Sequence, residues 1–344
     1  MNSHSRRRRR RQRGIPGALL LLVLLVVIVV AVLLFRGCTA EKPEQPSNED
    51  TAQTGGDVQT DGNTQTDNQD DSQTEDSQPQ EIQTSTGVSC TLTDLGEEAI
   101  YTGELVLVNN WTLYHFPEEQ ELVSIYEEKN DSYYVAGTEV YLAPVAMEAL
   151  NAMLADFTAQ GGSKSVNVVA GYRTEEFQQH LFDQSAEQNG LEHAKQYVAQ
   201  PGGSEHHTGF VVDLSIYHSD GTSEEYDGTG EYAWINDNCQ NYGYVVRYAT
   251  DKADLTGIAN EPWHFRYVGI PHATQMVKEG LCLEEYIDYL KDYTADGEHL
   301  MIQCEDGTYE VWYAQGSAIY LPDSGEYTVS GNNVDGLIVT CKVG

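Results

Sequence analysis

The sequence predicts an α+β domain, and three observations point to it. Apolar residues recur at helical spacing from Pro144 to Gln160 and again from Pro271 to Leu290, and short runs rich in β-branched residues lie between those segments. The tail beyond Ala295 differs in texture: its apolar and aromatic runs are short and separated by Asp-Gly and Ser-Gly turns, which predicts a small all-β appendage over residues 295–344.

Along the chain, Arg6 to Arg11 and Arg13 precede an uncharged apolar run from Ile15 to Phe35, long enough to span a bilayer. The run ends in Leu33, Leu34, Phe35 and Arg36 rather than in the small residues of a cleavage site, so an uncleaved anchor is expected. The arginines place residues 1–14 in the cytoplasm and the chain after Arg36 outside. Phe35 and Arg36 make a poor lipidation context for Cys38, which favours the anchor over a lipoprotein. Residues 36–87 are dominated by Gln, Thr, Asp, Glu and Ser and carry too little apolar surface to fold, so they read as a disordered acidic spacer.

The main domain is expected over residues 88–294. Glu104–Val108 reads as its first strand and Glu139–Leu142 as a second. Helix 144–160 follows, with Val145, Met147, Leu150, Met153, Leu154 and Phe157 on one face and Gly161-Gly162 as its stop. A strand is predicted at Ser165–Ala170, then a helix with Thr174 as N-cap and acids in its first turn. Strands at 209–216 and 244–248, and helices at 232–242, 271–278 and 283–290, complete the series. In the tail, Trp312, Tyr313, Tyr320 and Tyr327 are read as core rather than as a sugar platform.

Eight of the 19 basic residues lie within the first 36 positions, leaving 11 against all 54 acids in the remainder. Such a surface repels phosphate backbones and excludes a nucleic-acid partner. The cysteines at 38, 90, 239, 282, 304 and 341 include no Cys-x-x-Cys pair, so a sulfur-ligated metal is not expected. In an oxidising compartment the later four could form disulfides, and a Cys304–Cys341 bond would bracket the tail.

Two stretches carry chemistry: Gly202-Gly-Ser204-Glu-His206-His-Thr-Gly209-Phe-Val-Val-Asp213 and Glu261-Pro-Trp263-His264-Phe-Arg266. A hydrolytic metal site needs three protein ligands, an open position and a base. His206, Asp213, His264 and Glu261 supply those residue types. In a straight strand His206 and Asp213 would lie over about 20 Å apart on opposite faces, so a bend is required if both bind one metal, and Gly209 offers it. Pro262 keeps Glu261 out of helical geometry, which excludes a helical His-Glu-x-x-His site. Taken singly, each residue has a plainer reading: a buried hydrogen-bond partner, a strand end, or Glu261 paired with Arg247 or Arg266.

Ser204-Glu-His-His-Thr-Gly209, Glu261-Pro-Trp-His-Phe-Arg-Tyr267 and Gly171-Tyr-Arg173-Thr174 together resemble the signatures of VanY-type D-alanyl-D-alanine carboxypeptidases. These are zinc peptidases that share a fold with the hedgehog signalling domain, a small antiparallel sheet flanked by helices. The likeness runs from about Leu105 to Leu290. It implies zinc held by His206, Asp213 and His264, Glu261 as the base and Arg173 as the cation that polarises the scissile carbonyl. Gln178, Ser204 and Trp263 match positions lining the substrate cleft, and His207 matches no ligand position. Ala170 and Phe210-Val211 depart from the family pattern without removing a catalytic group. The implied reaction is removal of the terminal D-alanine from peptidoglycan stem peptides by an extracytoplasmic domain. L,D-carboxypeptidase specificity on tetrapeptide stems is an alternative, and a non-catalytic wall-binding or sensory module on the same fold is another.

Overall fold

The computed structural model describes residues 80–344. In chain order its strands are β1 (Glu81–Gln83), β2 (Ser89–Asp94), β3 (Val123–Ser124), β4 (Tyr134–Val135), β5 (Tyr141–Leu142), β6 (Val166–Ala170), β7 (Val211–Tyr217) and β8 (Ser223–Glu225). They continue as β9 (Tyr244–Tyr248), β10 (Glu261–Tyr267), β11 (Leu300–Cys304), β12 (Gly307–Gln315), β13 (Ala318–Pro322), β14 (Tyr327–Gly331) and β15 (Gly336–Lys342).

The central sheet runs β4-β6-β7-β10-β9, with β8 on β7, and only the β4–β6 pair is parallel. Helix Pro144–Ala159 covers one of its faces. Proline begins that helix, and its buried residues Met147, Leu150, Met153, Leu154 and Phe157 pack against Val166, Val168, Val212, Leu214, Ile216 and Phe265. Each such side chain contributes about 1.5–3 kcal/mol on leaving water, so this one face anchors the sheet. Helix Glu175–Asn189 starts where the sequence places it, with the Thr174 hydroxyl accepting from the Phe177 N–H at 3.1 Å. The predicted 232–242 helix is shorter: it runs Ala233–Asn238 and tightens into a 3₁₀ turn, Cys239–Tyr242, ended by Gly243 in the left-handed region.

The C-terminal strands form a second sheet, β11-β12-β15-β14. One face packs Leu300, Ile302, Val311, Tyr313 and Ile338 against Met276, Leu283, Ile287 and Leu290 of helices Ile270–Glu279 and Leu283–Leu290. The other face carries Trp312, Leu337, Val339 and Cys341 into a third core with Cys90, Ile319 and Tyr320. Three of the four tail aromatics are therefore core, while Tyr327 is exposed.

Four expectations change. The β-rich part is built from both chain ends, because β1 and β2 pair with β13 in a three-stranded sheet. The spacer expected to reach residue 87 thus gives way to structure by Glu81; Thr84, Ser85 and Thr86 all donate hydroxyls to the buried Glu310 carboxylate. The strand expected at 104–108 is a buried connector: its carbonyls at Glu104 and Val106 accept from Arg266, and Leu105 N–H donates to Ser330. A charged side chain there takes the place of a neighbouring strand. Finally, Cys304 and Cys341 lie on opposite faces of the second sheet, and all five described cysteines are free.

No helix among the described residues is long and apolar enough to cross a membrane, and the run Ile15–Phe35, like the segments before it and up to residue 79, lies outside them.

A chain begun at Val88 loses β1 and three donors to a buried carboxylate. It should be about 2–4 kcal/mol less stable than one begun at Gln80, a drop of roughly 5–15 °C in melting temperature. Equal thermal midpoints for the two would show that residues 80–87 add nothing to the fold.

Candidate metal centre

The site is set by strand register. In the antiparallel β7–β10 ladder His264 lies opposite Asp213, so the two side chains share a face. His264 Nδ1 is 3.2 Å from Asp213 Oδ1. On the other side of β10 the register with β9 shifts between Glu261 and Phe265, at the point where Pro262 withholds a ladder donor. Residues three apart in a regular strand face opposite ways. The irregularity lets Glu261 reach the same side as His264, with Oε2 at 3.5 Å from Nδ1.

His206 arrives from a 3₁₀ turn, Glu205–Thr208, ended by Gly209 at φ +73°. A Cβ at Gly209 would come within 2.8 Å of Leu122, so both the angle and the space call for glycine. The bend returns His206 Nε2 to 3.2 Å from Asp213 Oδ2. Segment 171–173 is tied to the turn by three bonds. His206 Nδ1 donates to Gly171 O at 2.6 Å, Arg173 N–H donates to His206 O at 3.1 Å, and His207 Nδ1 donates to Arg173 O at 2.7 Å. Arg173 is thereby held in register with the cluster, and its Nη2 lies 3.1 Å from Asp213 Oδ2.

The ligating atoms of His206, Asp213 and His264 all lie within 4.8 Å of one another. The donor set fits a metal ion: two imidazoles and a carboxylate are typical of a catalytic site with an open position, and Asp213 Oδ1 is buried without a hydrogen-bond partner. Burial, reinforced by Arg173, depresses His206 to about 4, so it is neutral and able to ligate near neutrality. His264 goes the other way: burial opposes its charge, but Asp213 and Glu205 outweigh that and raise it to about 9. Burial, with the Asp213 charge adding to it, raises Glu261 to about 7 despite nearby His264 and Arg173.

A family profile described as VanY, D-alanyl-D-alanine carboxypeptidase, matches residues 139–270, which include all five of these side chains. A D-alanyl-D-alanine carboxypeptidase of Enterococcus faecium is 32% identical over 274 residues, covering 76% of this chain and 83% of the relative. The chain belongs to the VanY-type D-alanyl-D-alanine carboxypeptidase family. A bifunctional D-Ala-D-Ala dipeptidase and carboxypeptidase, VanXYC of Enterococcus gallinarum, is 37% identical over 155 residues, 44% of this chain and 80% of that protein. The solved D,D-dipeptidase VanXYg, in complex with a D-Ala-D-Ala phosphinate analogue, is 31% identical with a TM-score of 0.66, covering 74% of this chain and 99% of that one. Residues 88–294 alone could not supply that share.

The structure brings together the five side chains to which the VanY resemblance assigned chemistry: His206, Asp213, His264, Glu261 and Arg173. The three residues matched to the cleft have other surroundings. Gln178 is buried on the first turn of helix Glu175–Asn189 and donates to the Ala199 carbonyl at 2.8 Å, leaving Oε1 without a hydrogen-bond partner. Ser204 is buried at the head of the 3₁₀ turn, and Trp263 packs half-buried against the central core.

Sequence reasoning missed what lies beneath. Arg247 and Arg266 pair with Glu205, at 2.8 and 3.1 Å, and not with Glu261. Tyr248 packs its ring against His264 at 4.7 Å between centroids, and His207, which matches no ligand position, is wholly buried. The available signal was charge placement: Arg247 and Arg266 interrupt strands that otherwise read as apolar and call for a buried acid.

For both Glu261 and His264 the folded value is raised, so each adds stability that is full below its ordinary value, 4.5 and 6.5, and lost as pH rises through about 7 and about 9. Between about pH 5 and 6.5 the depressed His206, whose contribution grows as pH rises, opposes the loss at Glu261, so metal-free protein should change little there and melt progressively lower from about pH 6.5 to 9. Glu261→Gln should leave the His206 rise from about pH 5 to 6.5 unopposed, on the order of 2 kcal/mol. A melting temperature that climbs between about pH 6.5 and 9 would contradict the site's electrostatics.

Proposed function

We propose that this chain is a zinc-dependent D-alanyl-D-alanine carboxypeptidase that removes the C-terminal D-alanine from peptidoglycan stem peptides. Family membership supports the reaction. The observation that carries it to this chain is the convergence of a base, Glu261, and a cation, Arg173, on one three-ligand cluster.

His206, Asp213 and His264 would hold the ion, which when bound polarises a carbonyl and makes water more acidic. Glu261 takes the proton of the attacking water and returns it to the departing amine of D-alanine. A carboxyl raised to about 7 is suited to both transfers near neutral pH. Arg173 stands beside Asp213 with a permanent charge, placed to stabilise the developing oxyanion without moving a proton. The family resemblance supports Gln178, Ser204 and Trp263 as substrate contacts, and the unpartnered Gln178 Oε1 is one polar group free to serve.

Action on the peptides of the cell wall supports a catalytic domain outside the cytoplasm. The apolar run Ile15–Phe35 behind a cluster of arginines supports a single-pass anchor, and the acidic stretch that follows supports a spacer between membrane and enzyme.

Mass spectrometry of products from a defined pentapeptide should show loss of one D-alanine, abolished by a chelator. Glu261→Gln should retain zinc while losing most turnover, and Arg173→Met should lower kcat by about 10²–10³-fold. Cleavage of the tetrapeptide alone would shift the assignment to L,D-specificity. Zinc-loaded protein that binds stem peptides without any product would instead mark a binding module.

A further inference from the structure

The two imidazoles of the centre present different nitrogens, and that difference singles out one carboxylate. His206 turns Nε2 toward Asp213 and donates from Nδ1 to Gly171 O. His264 turns Nδ1 toward Asp213 and Glu261. A ligating nitrogen must be unprotonated, so when His264 holds a metal its remaining proton sits on Nε2. Nε2 is buried, as is Glu205 Oε2; neither forms a hydrogen bond, and they lie 3.4 Å apart, within ion-pair reach.

We propose that Glu205 is a positioning residue of the metal centre, its Oε2 accepting the Nε2 proton of His264 and so fixing which ring nitrogen faces the ion. This rests on the zinc reading above. Glu205 directly precedes His206 in sequence yet serves the other imidazole, because successive side chains in a 3₁₀ turn point about 120° apart.

The carboxylate is well held for such a task. Its Oε1 accepts from Arg247 Nε at 2.8 Å and Arg266 Nη1 at 3.1 Å, and all three side chains are fully buried. Arg266 has no need of the second oxygen, whereas Arg247 Nη1 is buried without a hydrogen-bond partner. Arg247 also pairs with Glu284 at 2.7 Å, and Arg266 donates to the carbonyls of Glu104, Val106 and Tyr267. Two anchored guanidiniums therefore stop the carboxylate from rotating while leaving Oε2 aimed at the ring. Carboxylates behind metal-bound histidines orient the ring and make the ligand more basic.

The test compares zinc affinity of the full-length chain with that of Glu205→Gln, by competition against a chromophoric chelator, with far-ultraviolet circular dichroism of both metal-free proteins as the check on folding. A loss of affinity of about 10–100-fold in a folded variant is expected. A folded variant that binds zinc as tightly as the parent overturns the proposal. If the parent itself binds no zinc, the zinc reading fails and this inference with it. Because Glu205→Gln leaves two buried arginines with less counter-charge, it could fail to fold. Imidazole ¹⁵N spectra of the zinc-loaded parent then decide: Nδ1 metallation of His264 with a slowly exchanging Nε2 proton is expected, and Nε2 metallation or a freely exchanging proton overturns it. A merely structural ion pair would leave the tautomer indifferent.

Discussion

Everything at the site depends on one register. His264 opposite Asp213 in the β7–β10 ladder puts two candidate ligands on the same face of the central sheet, and a slip by one residue would send them to opposite faces. The same ladder sets Phe265 beside Val212, so the apolar face that packs under helix Pro144–Ala159 and the polar face that carries the site are fixed by a single alignment. Core packing and catalytic geometry are thus one constraint. The irregularity at Pro262 is the local exception that brings Glu261 to the side of His264, and the left-handed Gly209 is the exception that returns His206 to Asp213.

Beneath the site lies a buried charge network of Glu205, Arg247, Arg266 and, half-covered at its edge, Glu284. Buried charges are costly unless each polar atom is satisfied, and replacing one member alone leaves an uncompensated charge. Here the cost is spread over many bonds, although Arg247 Nη1, Glu205 Oε2 and Glu284 Oε2 stay buried without a partner. Arg266 takes two carbonyls from the connector 104–106, and Asn109 donates to Glu284 at 3.2 Å. The segment that precedes the catalytic sheet is thereby fastened to the strand that bears His264. The C-terminal strands join the same fabric: Asn333 donates to the carbonyls of Leu107 and Leu113 at 2.8 and 2.9 Å. The β-rich part is a wall of the folded unit rather than a pendant.

Much of this was legible in the sequence. Helical periodicity gave Pro144–Ala159 almost to its ends, Thr174 marked its helix start, and the need for a bend at Gly209 followed from spacing once His206 and Asp213 were taken to bind one metal. The candidate catalytic side chains were legible only through motif resemblance, since a lone His or Asp carries no such meaning. What escaped depends on partners distant in sequence. No local pattern says that the apolar run 104–108 will satisfy its carbonyls with Arg266, or that Thr84, Ser85 and Thr86 will surround Glu310, more than two hundred residues away. Residues 80–87 read as spacer because their composition is polar, and polar residues fold when a buried charge needs their hydroxyls.

Diffraction at the zinc edge from metal-loaded crystals addresses the central arrangement most directly. A single anomalous peak is expected within bonding distance of His206 Nε2, an Asp213 carboxylate oxygen and His264 Nδ1, with Glu261 and Arg173 beside it but not bound. A peak that takes Glu261 as a ligand in place of one of the three, or that lies away from the β7–β10 ladder, would contradict the assignment of cage and base.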